Sequence, residues 1–244
     1  MTVSIAVTSG KGGVGKTNCA VNLSLSLTKM GKKVVLFDTD FGMANAHILL
    51  GTNPKRTAAD FLRGTAGLES ILSDGPSNLR FIAGGSGLLE LLNLDNHARY
   101  QMLQSLSDLE NEIDYLVVDT PAGASESSLF FASAVAVPLV VLVAEPTSFL
   151  DAYAFIKITH MEQPDADIKV IVNMANSTKE GERTYNTIRK ACEGFLKFSP
   201  SLAGVIRRDP KVRDSIRAQS PILMRFPNTE AAIDVGNIVN NLTG

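Results

Sequence analysis

A stretch of nine residues near the start of the chain, SGKGGVGKT at positions 9–17, combines four glycines with two lysines. Residues 10–17 fit the spacing G-x-x-x-x-G-K-T of a phosphate-binding loop, with an apolar segment before it and a helical pattern after it. Glycines let successive backbone N–H groups turn inward, because no Cβ blocks a phosphate group. We predict that Lys16 reaches the β- and γ-phosphates of a nucleotide and that Thr17 binds Mg²⁺. The alternative is a glycine-rich turn with a surface lysine.

Two apolar segments farther along the chain each end in an aspartate. The segment KVVLFD (33–38) ends in Asp38 and is followed by Asp40, and YLVVD (115–119) ends in Asp119. Ligands of open parallel sheets bind at the carboxyl ends of the strands, so these carboxylates are expected beside the phosphate loop. There, Asp40 can orient an attacking water or reach Mg²⁺, and Asp119 can bind Mg²⁺ through water. The alternative for each aspartate is a cap on the segment that follows it.

The elements that position these residues alternate between strands and helices. Apolar runs typical of buried parallel strands lie at 3–8, 33–38, 79–83, 115–119, 138–144, 168–173 and 202–206. Helical patterns lie at 16–30, 95–111, 125–134, 148–160, 178–197 and 228–242. This order predicts an α/β fold, in which a doubly wound, mostly parallel sheet has helices on both faces. Residues 57–60 and 148–151 resemble capping boxes, and no linker interrupts the chain, which predicts one domain over residues 1–244.

The composition excludes several other classes of protein. Of the 244 residues, 45% are hydrophobic, as is usual for a globular protein. The formal net charge of −2 gives no sign of a basic surface that would attract nucleic acids. Cys19 and Cys192 are too few for a disulfide framework and lack the spacing of a zinc or iron–sulfur site. The longest apolar run, at 132–144, is too short to span a bilayer. Without a signal-peptide pattern, these features predict a cytoplasmic protein.

The string KGGVGKT (11–17) resembles the deviant Walker A motif of the MinD/ParA family of ATPases, because it places an additional lysine at position 11. The resemblance implies a P-loop ATPase that uses ATP and Mg²⁺ and forms a homodimer when ATP is bound. In that family the first lysine, here Lys11, reaches across the dimer to the phosphates held by the partner. Such a cation would stabilise charge that develops during phosphoryl transfer, as an arginine finger does. From its spacing alone, Lys11 is also consistent with an exposed loop lysine.

The motif and the resemblance together define the predicted site. The nucleotide contacts are Gly10, Lys11, Gly12, Gly13, Val14, Gly15, Lys16, Thr17, Asn18, Asn173, Arg207 and Asp209. The magnesium ligands are Thr17, Asp40 and Asp119, and the catalytic residues are Lys11, Lys16 and Asp40. An amide at Asn173 can read the adenine edge. Arg207 replaces a proline that is frequent in the family, and it either stacks on the adenine or has a purely structural role.

Several further strings resemble the flagellar branch of the family, the FlhG/FleN-like regulators of flagellar number and placement. They are GKTNCAVNL (15–23), DTDFGMANAHILLG (38–51), KRTAADFLRG (55–64), AEPTSFLDAYAFIK (144–157) and NMANSTKEG (173–181). This resemblance implies a slowly hydrolysing switch whose partners are a flagellar transcription regulator or a GTPase of the signal-recognition type. Glu145, Ser148 and Asp151 are expected to face the second copy of the chain.

Two departures from that branch affect the expected partners. Many members carry an extension before the first strand that helps activate the GTPase, whereas the first strand here is predicted at residue 3. Members also tend to end in a basic amphipathic helix that binds membrane, but residues 226–244 contain no lysine or arginine. The apolar positions Ala232, Val235, Ile238, Val239 and Leu242 have the spacing of a stripe that packs on a core. Peripheral contact with the inner face of the cell membrane is therefore left open.

The sequence leaves three alternative functions to be weighed. A ParA-like partition ATPase would bind DNA nonspecifically through a basic face formed by Lys179, Arg183, Arg189, Lys190, Lys211, Arg213 and Arg217. A metal-cluster enzyme of the same P-loop class would need paired cysteine ligands, which two distant cysteines supply only through a dimer. A binding module would hold nucleotide with almost no turnover.

Overall fold

The computed structural model describes residues 2–41, 45–85, 96–109 and 111–244, including the side chains of all these residues except 96–98. Within these ranges eight strands form one sheet. They are β1 (Val3–Thr8), β2 (Val34–Asp38), β3 (Leu72–Asp74), β4 (Arg80–Ile82), β5 (Tyr115–Asp119), β6 (Val137–Leu142), β7 (Lys169–Ala175) and β8 (Ser201–Arg207). Their order across the sheet is β3-β4-β2-β5-β1-β6-β7-β8, and only the β3–β4 pair is antiparallel.

Helices connect and cover these strands. They are α1 (Lys16–Lys29), α2 (Ala46–Leu49), α3 (Ala58–Leu62), α4 (Leu68–Ile71), α5 (Asn96–Ser107), α6 (Glu126–Ser133), α7 (Pro146–Glu162), α8 (Thr178–Leu196), α9 (Pro210–Arg217), α10 (Ile222–Arg225) and α11 (Glu230–Thr243), with a short 3₁₀ helix at Pro76–Asn78. The predicted α/β fold with a mostly parallel sheet is confirmed. The sequence patterns missed β3 and the short helices because such elements contain too few residues to show a period.

Successive residues of the central strands point into different layers of the core. Ile5 and Val7 pack with α1, α10 and α11 on one face of the sheet, whereas Ala6 packs with α3 and α5 on the other. A third cluster, under α7 and α8, continues that second face beyond β6. Because both faces are covered, the strands need apolar residues at nearly every position. This is why the sequence shows continuous apolar runs.

The two predicted capping boxes had different outcomes. At Thr57, the capping box with Asp60 is present at the start of α3. The box predicted at residues 148–151 is wrong, because α7 begins earlier, at Pro146. The Ser148 hydroxyl instead accepts a hydrogen bond from the backbone N–H of Val143 at 3.1 Å, which ties α7 to the end of β6. Proline favours this earlier start. The N–H at the first helical position has no partner within the helix, so a proline, which lacks an N–H, loses no hydrogen bond there.

The last helix, α11, packs its apolar stripe into the core as predicted. Ala232, Val235, Ile238 and Val239 are buried in the cluster that contains α1, and Leu242 packs against its edge. This stripe is therefore not available for a membrane surface. No helix in the described part of the chain is both long and apolar enough to cross a bilayer.

Candidate functional site

The loop between β1 and α1 approaches its neighbours too closely for any side chain at two of its glycines. A Cβ on Gly10 would lie 2.2 Å from the carbonyl oxygen of Asp151 on α7. At Gly15, a Cβ would lie 2.4 Å from Nδ2 of Asn173, and the backbone there is left-handed with φ 86°. The loop is thus packed between α7 and the end of β7. The N-terminus of α1, where free N–H groups favour anions, begins immediately after it.

Lys16 and Asp119 form a buried ion pair at the base of this loop. Nζ of Lys16 lies 2.6 Å from Oδ1 of Asp119, and both side chains are almost completely removed from solvent. The Thr17 side chain lies close enough to the Asp119 carboxylate to lower its pKa. Burial raises the pKa of Asp119, and the neighbouring ammonium and hydroxyl groups oppose that change. The structure thus brings together three of the predicted site residues in one contact.

The Asp38 carboxylate binds backbone N–H groups of the segment that follows β2. Its carboxylate is buried and accepts hydrogen bonds from the N–H groups of Asp40, Asn45 and Ala46 at 3.1, 3.0 and 3.0 Å. Burial raises the pKa of Asp38 to about 7, and the negative charge of Asp119 adds to this effect. The capping alternative therefore describes Asp38 well, because its carboxylate orders the segment that carries Asp40. Asp40 itself is only partly buried, and its charge raises the pKa of Asp119.

The segments after β2 and β5 are both hydrogen-bonded to backbone carbonyls near the phosphate loop. The backbone N–H and the hydroxyl of Thr39 each donate to the carbonyl of Asp119 at 2.9 Å. After β5, the N–H of Gly123 donates to the carbonyl of Ser9, also at 2.9 Å, with Gly123 in a left-handed conformation of φ 86°. The carboxyl ends of β1, β2 and β5 are thereby connected. The segment after β5 is bonded directly to Ser9 beside the phosphate loop, whereas the segment after β2 is bonded to β5.

Lys11 lies on the opposite side of the loop from Lys16. Its Nζ donates to the Thr147 hydroxyl at 2.8 Å and lies 3.4 Å from Oε2 of Glu145. The Lys11 side chain is 39% exposed and that of Glu145 is 61% exposed, so this contact is accessible from outside the chain. In a single chain, Lys11 thus contacts the start of α7, while Lys16 contacts the buried Asp119.

Two cavities lie beside the phosphate loop, a polar one of about 130 Å³ next to Lys11 and a larger one of about 570 Å³. The larger cavity opens beside α1, between the ends of β7 and β8. Its apolar lining includes Ile206, Val212, Ile216, Ile222, Ala231 and Val235. The predicted contacts Asn18, Asn173, Arg207 and Asp209 also line it. This cavity lies next to Gly15 of the phosphate loop, and its size and lining suit a purine base.

The predicted base contacts are arranged differently from the expectation. The Asn173 amide is tied to the protein, since Nδ2 donates to the carbonyl of Val14 at 2.8 Å and Oδ1 accepts from the N–H of Met174. Asp209 caps α9 by accepting a hydrogen bond from the N–H of Lys211. Asn173 therefore supports the phosphate loop.

The guanidinium of Arg207 is bound by carboxylates of α11. It donates to Asp234 at 2.9 Å through both Nε and Nη2, and to Glu230 through Nη1 at 2.6 Å. These contacts favour the structural alternative for Arg207. Sequence reasoning overlooked two other residues that line the cavity, Met174 and Arg208. The two adjacent arginines, Arg207 and Arg208, were the signal for Arg208. Successive side chains of a strand point to opposite faces, so a different role was to be expected for each arginine.

Both cysteines are buried and reduced, and they lie in different core clusters. Burial raises the pKa of Cys19 to about 12 and that of Cys192 to about 11. Because the thiolate is the reactive form, we expect both thiols to react with an aromatic disulfide reagent at least about tenfold more slowly in the folded chain than in urea. Measuring thiol release with and without denaturant checks this. Fast labelling of the folded chain would contradict the burial of Cys19 in the wall of the larger cavity.

The chain is similar in sequence to a family of nucleotide-binding domains, to an antiactivator and to a flagellum site-determining protein. Residues 5–222 match the CbiA family, the CobQ/CobB/MinD/ParA nucleotide binding domain. The antiactivator FleN of Pseudomonas aeruginosa is 39% identical over 229 residues, which cover 94% of this chain and 82% of FleN. The flagellum site-determining protein YlxH of Helicobacter pylori is 35% identical over 225 residues, which cover 92% of this chain and 76% of YlxH.

The fold is similar to solved structures of septum site-determining proteins. MinD of Pyrococcus horikoshii, complexed with Mg-ADP, has a TM-score of 0.85 at 23% identity, with 100% of this chain and 96% of that chain covered. A chain of the MinC:MinD cell division protein complex of Aquifex aeolicus has a TM-score of 0.80 at 27% identity, with 100% and 96% covered.

Proposed function

This chain belongs to the CobQ/CobB/MinD/ParA family of nucleotide-binding domains, as a MinD-like ATPase near the flagellar FleN and YlxH branch, and on that basis we propose that it is an ATP-dependent dimerising switch. ATP and Mg²⁺ close a homodimer, slow hydrolysis reopens it, and other proteins bind the two states with different affinities. Its output is the number or placement of flagella, or the position of another cellular structure.

The positions of the two loop lysines are the observation that carries this proposal. Lys16 is buried against Asp119 inside the chain's own site. Lys11 lies on the outside of the same loop and contacts the exposed start of α7. One loop therefore has a cation for its own phosphates and a second cation that a neighbouring chain can receive. Such a group supplied in trans stabilises the charge of phosphoryl transfer, while Asp40 orients the attacking water.

The environment of Asp119 fits a magnesium ion. Its Oδ2 is buried and has no hydrogen-bond partner among the described residues, and the Thr17 hydroxyl is near enough to lower the pKa of the same carboxylate. Carboxylate and hydroxyl oxygens, with waters, are the ligands that Mg²⁺ prefers. We assign Thr17, Asp119 and Asp40 to the metal, the two aspartates acting through water. A bound magnesium ion would supply positive charge to the phosphate oxygens, and Lys16 would exchange its contact with Asp119 for a contact with the phosphates.

We further propose that the partners are proteins and that the chain acts in the cytoplasm. The MinC:MinD complex shows that a protein of this fold assembles with a different protein. By analogy, a flagellar transcription regulator or a GTPase would bind the ATP-closed dimer. Peripheral membrane contact would have to use a surface other than the apolar stripe of α11, because that stripe is buried.

Light scattering after size exclusion tests the proposal with three samples: the chain with ADP, the chain with ATP, and Asp40→Ala with ATP. We expect a 26.1 kDa monomer with ADP, a dimer with ATP, and a longer-lived dimer for Asp40→Ala, because that variant cannot complete hydrolysis. Lys190→Ala, an exposed residue of α8, is the control. One mass in all samples would refute the proposal. Vesicles of anionic phospholipid, added to the ATP sample, report membrane contact.

A partition ATPase that binds DNA is the main rival, and the named flagellar relatives do not favour it. Part of the basic face on α8 and α9 is neutralised, since Arg189 pairs with Glu193 and Lys211 pairs with Asp214. Retention on DNA that requires ATP and weakens with salt would support the rival.

A further inference from the structure

Two neighbouring arginines at the end of β8 have opposite surroundings. Arg207 is held by Asp234 and Glu230 of α11. Arg208 is exposed, and only its backbone is fixed, because its N–H donates to the carbonyl of Ala175 at 2.8 Å. In the part of the chain that the structure describes, no hydrogen bond or ion pair holds the guanidinium of Arg208. A cation is thus positioned at the end of β8 without a fixed partner.

Arg208 stands between two cavities. One is the cavity of about 570 Å³ beside α1, and the other is a polar cavity of about 130 Å³ beside Lys11. Among the described residues, only Arg208 and Met174 line both cavities. Asn176 donates hydrogen bonds that lower the pKa of Glu180 across the smaller cavity, and the charge of Arg208 acts in the same direction. Arg208 and Met174 therefore form the rim between the two cavities, through which a molecule would pass from one into the other.

Met174 has a backbone conformation that needs support from its neighbours. Its φ is 56°, which is uncommon for a residue with a Cβ, and β7 loses its regular register with β8 at this point. The carbonyl oxygen of the Asn173 amide accepts the N–H of Met174, and the other end of that amide holds Val14 of the phosphate loop. This arrangement fixes the backbone of Met174, whose side chain lines both cavities.

The larger cavity has an apolar wall and one cationic edge. Its wall is formed by the aliphatic residues of β8, α9, α10 and α11 named above, which can cover one face of a flat aromatic ring. A guanidinium is planar and weakly hydrated, so it stacks well on the other face of such a ring. The guanidinium of Arg207 is held in place by the carboxylates of α11, whereas that of Arg208 is free to move onto the ring.

We propose that Arg208 is a nucleotide-binding residue, whose guanidinium stacks on the open face of the purine base in the larger cavity beside Met174. This inference rests on the proposed function, because it takes that cavity as the base site of the ATPase. It assigns to Arg208 the stacking role that the sequence had suggested for Arg207.

Titration calorimetry with ADP and with a non-hydrolysable ATP analogue tests this proposal. We expect Arg208→Ala to weaken binding of both nucleotides by the same factor, about tenfold, because the base is common to both. Arg208→Lys should show a smaller loss, since an ammonium keeps the charge but not the plane. Arg217→Ala, an exposed arginine of α9 that lines neither cavity, is the matched control and should bind like the unmodified chain. Thermal melting without nucleotide should be the same for all four proteins.

Two results would overturn the proposal. Unchanged affinity in Arg208→Ala would exclude any contact with nucleotide. A loss for the ATP analogue but not for ADP would show that Arg208 contacts the γ-phosphate, not the base. If the unmodified chain binds neither nucleotide, the proposed function itself fails, so the two failures are distinguishable.

Discussion

Replacing Lys11 with alanine is expected to lower the rate of ATP hydrolysis by about 10³-fold or more, with little change in the ATP affinity of a single chain. The reason is the position of its ammonium group, which contacts Thr147 and Glu145 outside the chain's own phosphate site. Its charge would act on the phosphates of a second chain. Phosphate release measured at increasing protein concentration, beside calorimetry with a non-hydrolysable analogue, separates these two effects.

A mixing experiment tests whether Lys11 acts in trans. Neither Lys11→Ala nor Asp40→Ala should hydrolyse ATP alone. A mixed dimer keeps one complete site, formed by Asp40 of the first variant and Lys11 of the second. An equal mixture should therefore recover about a quarter of the full activity, because half of the randomly formed dimers are mixed and one of their two sites is intact. Lys190→Ala should match the unmodified chain. A mixture without recovery would show that Lys11 acts within its own chain.

Replacing Lys16 with methionine is expected to abolish measurable nucleotide binding and to lower the free energy of unfolding by about 3–5 kcal/mol. The substitution leaves the buried carboxylate of Asp119 without the ammonium that lies 2.6 Å away. Without that cation, burial raises the pKa of Asp119 further above its unfolded value of about 3.9. Between the unfolded and the folded pKa of Asp119, the folded variant binds more protons than the unfolded chain. Its unfolding free energy should therefore fall as the pH rises from the first value to the second. Urea unfolding at several pH values measures this dependence.

The double variant Lys16→Met/Asp119→Asn is the control for this prediction. An asparagine at position 119 carries no charge to bury, so most of the lost stability and its pH dependence should disappear. Nucleotide binding should not return, because the phosphates still lack their cation. A single variant as stable as the unmodified chain would contradict the buried ion pair. Restored binding in the double variant would contradict the assignment of Lys16 to the phosphates.

The sequence by itself determined the architecture and the centre of the site. Parallel strands covered on both faces need apolar residues at nearly every position, so β1, β2 and β5 are visible as continuous runs. A phosphate-binding loop needs glycines and a lysine at set spacings, because its backbone forms the cradle. The aspartates follow the same strands whose carboxyl ends adjoin this loop. The position of Asp119 beside the phosphate loop could therefore be anticipated, whereas its ion pair with Lys16, 103 positions away, was seen only in the structure.

Only the tertiary structure decided what the remaining polar side chains contact. Ser148 was expected to cap a helix, but packing of α7 against β6 gives its hydroxyl to Val143. Asn173 was expected to read a base, but the loop folds over β7 and uses its amide. Arg207 was expected beside the nucleotide, yet α11 supplies Asp234 and Glu230 from a distant part of the chain. A polar group that leaves water must find a partner, and that partner depends on which elements pack nearby. Residue type and local spacing carry no record of that packing.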